Sequence, residues 1–460
     1  MLGLCELSND TLSQRNDPEP PELAILITVV LGGILAPLNS TMIAVALPRL
    51  MEAFDVPLTS SGWLVTAYLI TMASLQPIAG KLGDRLGRRR LILGGLIYFG
   101  IVSIGAATAF SFWSLLFFRV QQAISAAVVM PNGVALVREV VPAHRRAGRF
   151  GLIGASMSLT AAAGPPLGGF LIEVADWQAI FYVNLAFVLP ALLLGWRVLP
   201  TRRTRQASLS FDLAGAVLLF VLLVGTTGLL IQNQSSILFP SIGGVVLVAI
   251  GAFFLWYEWR HPDPVLQLGF FCIQKFAAAN GAVALSNLAM YSMMLGVPIL
   301  LSRQGGWTSA QTGLVLTVLM ATSMLFTPLG GHLADRLGRR WPAVGGLLLF
   351  TFGLLPLAFL GGAVALPILV ASLGIAGIGL GLAWAGIQTS ALEAVEPRQA
   401  GAASGIYATS RYLGSIVGSS VLISLLEGDG DGFVAVFFMV TVAAFLSALV
   451  SLGLKDRPDS

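Results

Sequence analysis

Long apolar runs, separated by short polar or charged breaks, dominate the pattern along the chain. A helix that crosses a bilayer needs about 20 predominantly apolar residues. Runs of about that length fall at 23–47, 60–79, 91–109, 113–136, 150–172, 179–197, 212–231, 239–257, 276–301, 312–330, 343–362, 366–389, 402–425 and 433–454. The pattern therefore predicts an all-α membrane protein of about fourteen transmembrane helices, an even number that puts both termini on one side. The first run, Leu23 to Pro48, is too long for a signal-peptide core and follows an acidic tail. It is expected to be the first span, with nothing cleaved.

Composition supports the same class. Hydrophobic residues make up 56% of the 460 and charged residues 10%, with a mean hydropathy of +0.86. A soluble chain carries about 25% charge, so here lipid must solvate much of the apolar surface. The two cysteines, Cys5 and Cys272, have no metal spacing and imply no disulfide framework.

Charge placement sets the orientation. All but four of the 26 Lys and Arg residues lie in one alternating set of loops or in the tails, among them Arg88–Arg90, Arg138, Arg145, Arg202, Arg203, Arg339, Arg340 and Arg398. The opposite loops hold Arg49 and Arg303, and Arg119 and Arg411 fall inside apolar runs. By the positive-inside rule both termini are cytoplasmic, in a plasma membrane. The formal charge of +4 then calls for no nucleic-acid partner. No Asp or Glu lies inside a run; the carboxylates sit in loops, tails and span ends.

The chain contains an internal repeat. Gly80-Lys-Leu-Gly-Asp84-Arg85-Leu-Gly87-Arg88-Arg89-Arg90 recurs as Gly331-His-Leu-Ala-Asp335-Arg336-Leu-Gly338-Arg339-Arg340-Trp341, with Pro77 and Pro328 at the same offset before each copy. Both copies follow spans of the same direction, so they mark equivalent loops in two halves, as in alternating-access carriers. The expected organisation is a tail at 1–22, a six-helix bundle at 23–199, two additional helices at 207–262 and a second six-helix bundle at 270–455. The Asp and Arg side chains of these loops suit a latch that holds one conformation, with a topogenic charge cluster as the alternative.

At these residues the sequence resembles the major facilitator superfamily, whose signature loop reads Gly-x-x-x-Asp-Arg-x-Gly-Arg-Arg; Gly80, Asp84, Arg85, Gly87, Arg88 and Arg89 match it. Further motifs resemble the fourteen-span drug:proton antiporters. They are Leu38-Asn39-Ser40-Thr41 through Leu47-Pro48, Arg119-Val-Gln121-Gln122-Ala123, and Gly151 with Gly164-Pro165-Pro166-Leu167-Gly168-Gly169. Asp176-Trp177 and the stretch from Tyr407 to Gly418 are also similar to the family. Asn39 departs from the pattern, standing where that family usually has Asp, and the span then lacks its protonatable group.

The resemblance implies efflux of amphipathic or hydrophobic compounds by a monomer, driven by a proton gradient without a bound cofactor. Carriage of a lipid or hydrophobic metabolite without proton coupling is the alternative, with a non-transporting receptor or scaffold behind it. Arg119, Arg411 and Asn39 are the proton-coupling candidates. A guanidinium within a span is costly and tends to be functional, though backbone carbonyls, Gln121 or Gln122 satisfying a structural cation is the other reading of Arg119. The conformational-switch candidates are Gly80, Asp84, Arg85, Gly87, Arg88, Arg89, Asp335, Arg336, Gly338 and Arg339. In the fifth span Pro165 bends the helix while Gly151, Gly164, Gly168 and Gly169 permit close packing. Asn39, Thr41, Gln121, Gln122, Asn132, Asn280, Asn287, Tyr291, Trp384 and Gln388 are the substrate-cavity candidates, each with interhelical hydrogen bonding as its alternative. Met290, Met293 and Met294 suit an adaptable binding surface, or ordinary packing. No metal-ligand spacing and no ATP-binding loop is present.

Overall fold

The computed structural model describes residues 22–200, 212–231, 238–262, 264–396, 399–427 and 432–454. The tail before Glu22, Arg202, Arg203, Arg398, the residues after 454 and the side chains of Lys81, Asp84 and His144 lie outside the described residues. Fifteen α-helices follow one another: α1 (Glu22–Gly33), α2 (Leu35–Phe54), α3 (Leu58–Leu86), α4 (Arg88–Ala107), α5 (Phe112–Val140), α6 (Ala143–Ala175), α7 (Ala179–Val198), α8 (Leu213–Ile231), α9 (Leu238–Arg260), α10 (Gln274–Gln304), α11 (Ser309–Leu337), α12 (Arg340–Leu360), α13 (Leu366–Glu393), α14 (Ala400–Glu427) and α15 (Gly432–Ser451). The described residues contain no strand.

Each apolar run of the sequence corresponds to helix, but two details differ. The first run is interrupted for one residue, Ile34, between α1 and α2. Pro37 brings no N–H to the Gly33 carbonyl four residues earlier, which weakens the helix there. Hydrogen bonds from Ile34 to Val30 and from Leu38 to Ile34 carry it across that residue. In addition, α3 and α11 run on to Leu86 and Leu337. Most of each expected switch loop is therefore helix, and the turns shrink to Gly87 (φ 95°) and Gly338 (φ 83°). These left-handed angles suit glycine, which has no Cβ to clash.

Among the described residues twelve helical stretches, α1 and α2 counting as one, are long and apolar enough to cross a membrane. The two that fall short, α6 and α14, have 33 and 28 residues and are rich in Gly, Ala, Ser and Thr. Small residues let helix backbones approach closely where lipid provides no hydrophobic drive between helices. Accordingly, α6 packs on α2 and α11, while α14 packs on α3 and α10. The hairpin of α8 and α9 leans on α3 and α14 through α8.

One end of the helices carries Arg88–Arg90, Arg138 and Arg339–Arg340, and is called the basic end here. At the other end, Asp176 closes α6 with φ 60°, a strained angle for a residue with a side chain. It is held by Arg49 Nε at 3.0 Å and by its own bond from the Trp177 N–H at 2.8 Å. The Arg49 guanidinium holds the Asp176 carboxyl below the usual carboxylate range. Trp177 packs between Phe54 and Phe181. The Asp176-Trp177 motif thus fastens the end of α6 to α2 and α7.

Candidate functional site

A cavity of about 170 Å³ lies where α2, α3, α5, α6, α10, α11, α13 and α14 converge. Six methionines line it: Met130, Met157, Met290, Met294, Met320 and Met324. Thioether side chains are flexible and polarizable, and adapt to varied apolar shapes. Tyr68, Tyr291, Tyr412 and Trp384 add amphipathic rings, and among the described residues Arg411 is the one charged group of the lining. The Tyr68 hydroxyl, the Ser323 hydroxyl and the Trp384 indole N–H have no protein partner. They are available to hydrogen-bond a guest.

Of the ten expected cavity residues, Thr41, Tyr291 and Trp384 reach this lining. The others are engaged elsewhere. Asn132 donates to the Ala79 carbonyl, and Asn280 and Asn287 bond back to their own helix at Phe276 and Val283. Gln121 accepts from Tyr98 and Gln388 is exposed away from the lining. Asn132 and Gln121 thus bond between helices, whereas Asn280 and Asn287 bond within α10. Met290 and Met294, one helical turn apart, face the cavity, whereas Met293 is fully buried in the core.

Asn39 and Arg119 lie outside the lining but belong to one polar chain behind it. Arg119 is completely buried, with Nη1 donating to Gln122 Oε1 at 3.0 Å and Nε to the Leu64 carbonyl at 3.3 Å. Gln122 donates to Ser103 Oγ at 2.9 Å, and Asn184 donates to the same oxygen at 3.3 Å. Asn184 in turn exchanges hydrogen bonds with Asn39, at 2.8 and 3.3 Å. The chain so crosses five helices, α2, α7, α4, α5 and α3. At its far end the Arg119 guanidinium stacks 4.5 Å above the Tyr68 ring, which borders the cavity. Arg119 Nη2 has no partner. Ser103 and Asn184 carried no motif and were invisible in the sequence.

Asn39 fits this chain because an amide both donates and accepts. An Asn39→Asp variant removes the donor to Asn184 Oδ1 and to the Leu35 carbonyl. It is expected to lose about 1–3 kcal/mol of stability, the cost of leaving buried groups unpaired. Thermal unfolding in detergent would measure this, and an unchanged midpoint would show that the site tolerates a carboxylate.

Arg411 differs from Arg119. It borders the cavity directly, beside the Tyr412 ring at 5.1 Å. Next to it the Tyr291 hydroxyl shares a 2.8 Å hydrogen bond with Ser40 Oγ, joining α10 to α2 across the middle of the molecule.

Glycine contacts show which end of the cavity is shut. A Cβ on Gly169 would come within 2.2 Å of the Ser309 carbonyl, and one on Gly313 within 2.2 Å of the Pro165 carbonyl. There α6 and α11 touch backbone to backbone. On the same side the Thr59 N–H donates to Glu427 Oε1 at 2.7 Å, linking α3 to α14. Towards the basic end, Gly148, Gly151 and Gly154 of α6 and Gly401 and Gly405 of α14 meet nothing within 4 Å. The expected α6 motif therefore splits: Gly164, Gly168 and Gly169 are packed tightly, and Gly151 stands free. Backbone contact between α6 and α11 thus closes the side away from the basic end, while these glycines towards it face open space.

The repeated turns carry matched ion pairs. Arg88 Nε bonds Glu139 Oε1 at 2.7 Å, and Arg339, its counterpart in the repeat, bonds Glu393 Oε1 at 3.1 Å. Glu139 and Glu393 end α5 and α13, so each turn is tied to the same relative place in its half. Arg339 also pairs with Asp335, and Lys275 with Glu393. Arg89 instead caps the end of α7 through the Leu199 and Trp196 carbonyls.

The model of the Major Facilitator Superfamily matches residues 29–256 and 279–460. The uncharacterized MFS-type transporter YvkA of Bacillus subtilis is 34% identical over 95% of this chain and 96% of its own length. Multidrug resistance protein Stp of Mycobacterium tuberculosis is 34% identical over 88% of this chain and 76% of its own. The multidrug resistance protein B homolog of the same species is 30% identical over 90% and 78%.

Proposed function

Because this chain belongs to the Major Facilitator Superfamily, we propose that it exports amphipathic and hydrophobic compounds by alternating access, in exchange for protons. The observation that carries the proposal is the methionine- and tyrosine-lined cavity, drawn from both halves of the chain and closed at one end by backbone contact of α6 with α11. Such a lining grips apolar surface without demanding one shape. The names of Stp and the protein B homolog point the same way. We read 23–199 and 270–455 as the two moving halves, α8 and α9 as the addition typical of the fourteen-span antiporters, and the basic end as cytoplasmic. The cavity then opens to the cytoplasm of a plasma-membrane monomer, ready to load.

A second reading is favoured by one observation: among the described residues the lining contains Arg411 and no carboxylate. A cationic drug would find no counter-charge there, an anionic amphiphile would find Arg411, and a neutral one, lipid included, needs none. That reading is of a lipid or metabolite carrier without proton coupling.

Purified protein in liposomes holding a pH dye, challenged with neutral, anionic and cationic amphiphiles, separates the two. Compound-triggered proton movement, absent from empty liposomes, is the expected result. Uptake of compound or labelled lipid without proton movement would replace exchange by uncoupled carriage.

A further inference from the structure

Two carboxylates lie buried on the hairpin of α8 and α9, beyond the cavity and its polar chain. Asp212 is 3% exposed and Glu258 is 2% exposed. Each has one oxygen that is fully occupied. Asp212 Oδ1 caps α8 by accepting the Gly215 N–H at 2.6 Å and accepts the Tyr257 hydroxyl at 3.0 Å. Glu258 Oε2 accepts the Leu266 N–H at 2.8 Å, from the segment leading into α10.

The remaining two oxygens, Asp212 Oδ2 and Glu258 Oε1, have no donor. They converge on Gly215, where a Cβ would meet them at 2.1 and 2.5 Å. Both oxygens therefore crowd one point beside the first turn of α8. Ionised carboxylates only accept, and two like charges buried side by side repel strongly. Among the described residues no Lys or Arg forms an ion pair with either, and His261 is the one base beside them. His261 Nδ1 is 4.0 Å from Asp212 Oδ2, too far for a hydrogen bond and an ion pair only when the imidazole is protonated. The Arg260 guanidinium lies over the Trp256 ring. On the helices packed against α8, Arg85 ends α3 in an exposed position, Arg411 of α14 borders the cavity, and Glu427 of α14 bonds Thr59 at the far end.

We infer that Asp212 and Glu258 form a proton-binding site, one proton being shared between Asp212 Oδ2 and Glu258 Oε1. The shared proton converts two orphan acceptors into one hydrogen bond. It clasps three segments together: the start of α8, the end of α9 and the chain entering α10, whose Met290, Tyr291 and Met294 line the cavity. Loss of the proton sets two charges against each other and loosens the clasp. The site is a feature of the hairpin and does not depend on what the cavity carries.

Infrared spectroscopy of the purified full-length protein at neutral pH tests this directly. The parent is expected to show the carbonyl band of a protonated carboxyl, and Glu258→Gln and Asp212→Asn are each expected to lose it. In Glu258→Gln the amide N–H replaces the proton at any pH, so that variant should hold its melting temperature as pH rises while the parent falls. Dicyclohexylcarbodiimide, which attacks buried protonated carboxyls, should label the parent at one of the pair and lose that adduct at raised pH. A parent without the band and adduct, or a band that survives in both variants, would overturn the proposal. Should a variant fail to fold, the parent's own pH titration of band and adduct decides the matter.

Discussion

Replacing Arg119 with methionine is expected to leave the protein at least as stable as the parent while slowing transport about tenfold or more, equivalent to roughly 1.4 kcal/mol of barrier. The two effects separate because of where Arg119 sits. It is a fully buried cation with no carboxylate beside it, only Gln122, the Leu64 carbonyl and the face of Tyr68. Desolvating a charge costs several kcal/mol, and apolar side chains of similar volume often replace buried ionic groups at no loss. A residue that costs stability and is nevertheless placed at the end of a five-helix polar chain, against the cavity's Tyr68, is what a working group looks like. Thermal unfolding and vesicle transport on the same preparation check both halves. Full transport by Arg119→Met would reduce Arg119 to a structural cation.

The second large effect concerns the seal. Gly313→Val is expected to open the cavity from the side away from the basic end. The new side chain would run into the Pro165 carbonyl, where even a Cβ stands only 2.2 Å away. Backbone cannot swing aside as a long side chain can, and overpacking of this kind costs about 1–3 kcal/mol. That cost falls only on the conformation in which α6 and α11 touch, so the population shifts to the one in which they part. A Ser158→Cys reporter in the cavity, in a background with Cys5 and Cys272 replaced by serine, reads the shift. An impermeant maleimide added on the sealed side should label it about fivefold faster or more, since 1–3 kcal/mol corresponds to factors of that order and above. An unchanged rate would mean that the contact between α6 and α11 is packing and no gate.

The site was partly legible in advance. Arg119 stood out because a charge inside an apolar run is rare, and Arg411 for the same reason. The amide candidates misled because interior polarity alone does not say whether a side chain meets a guest or a neighbouring carbonyl; Asn132, Asn280 and Asn287 meet carbonyls. The methionine lining was half visible in Met290 and Met294, whose spacing puts them on one helix face. Met130, Met157, Met320 and Met324 come from three other helices and carried no common signal. Glu139 and Glu393 were overlooked because each is an ordinary carboxylate at a span end. Their equivalence shows only once Arg88 and Arg339 are seen to reach them.

By itself the sequence determined that the chain crosses a membrane as helices, where those helices lie, which loops share a side, and that two parts of it repeat. Each of these follows from local composition, since apolar length, loop charge and a recurring motif act within a few residues of their origin. Tertiary structure alone decided how distant groups pair. Asn39 and Asn184 lie 145 positions apart, and only the rotation and tilt of α2 against α7 bring their amides together. The same holds for Asp212 and Glu258, which the sequence places at two unremarkable span ends and the fold buries face to face. A bilayer selects for length and hydrophobicity, and is nearly indifferent to which face of each helix turns inward; the packing of small residues against backbone makes that choice.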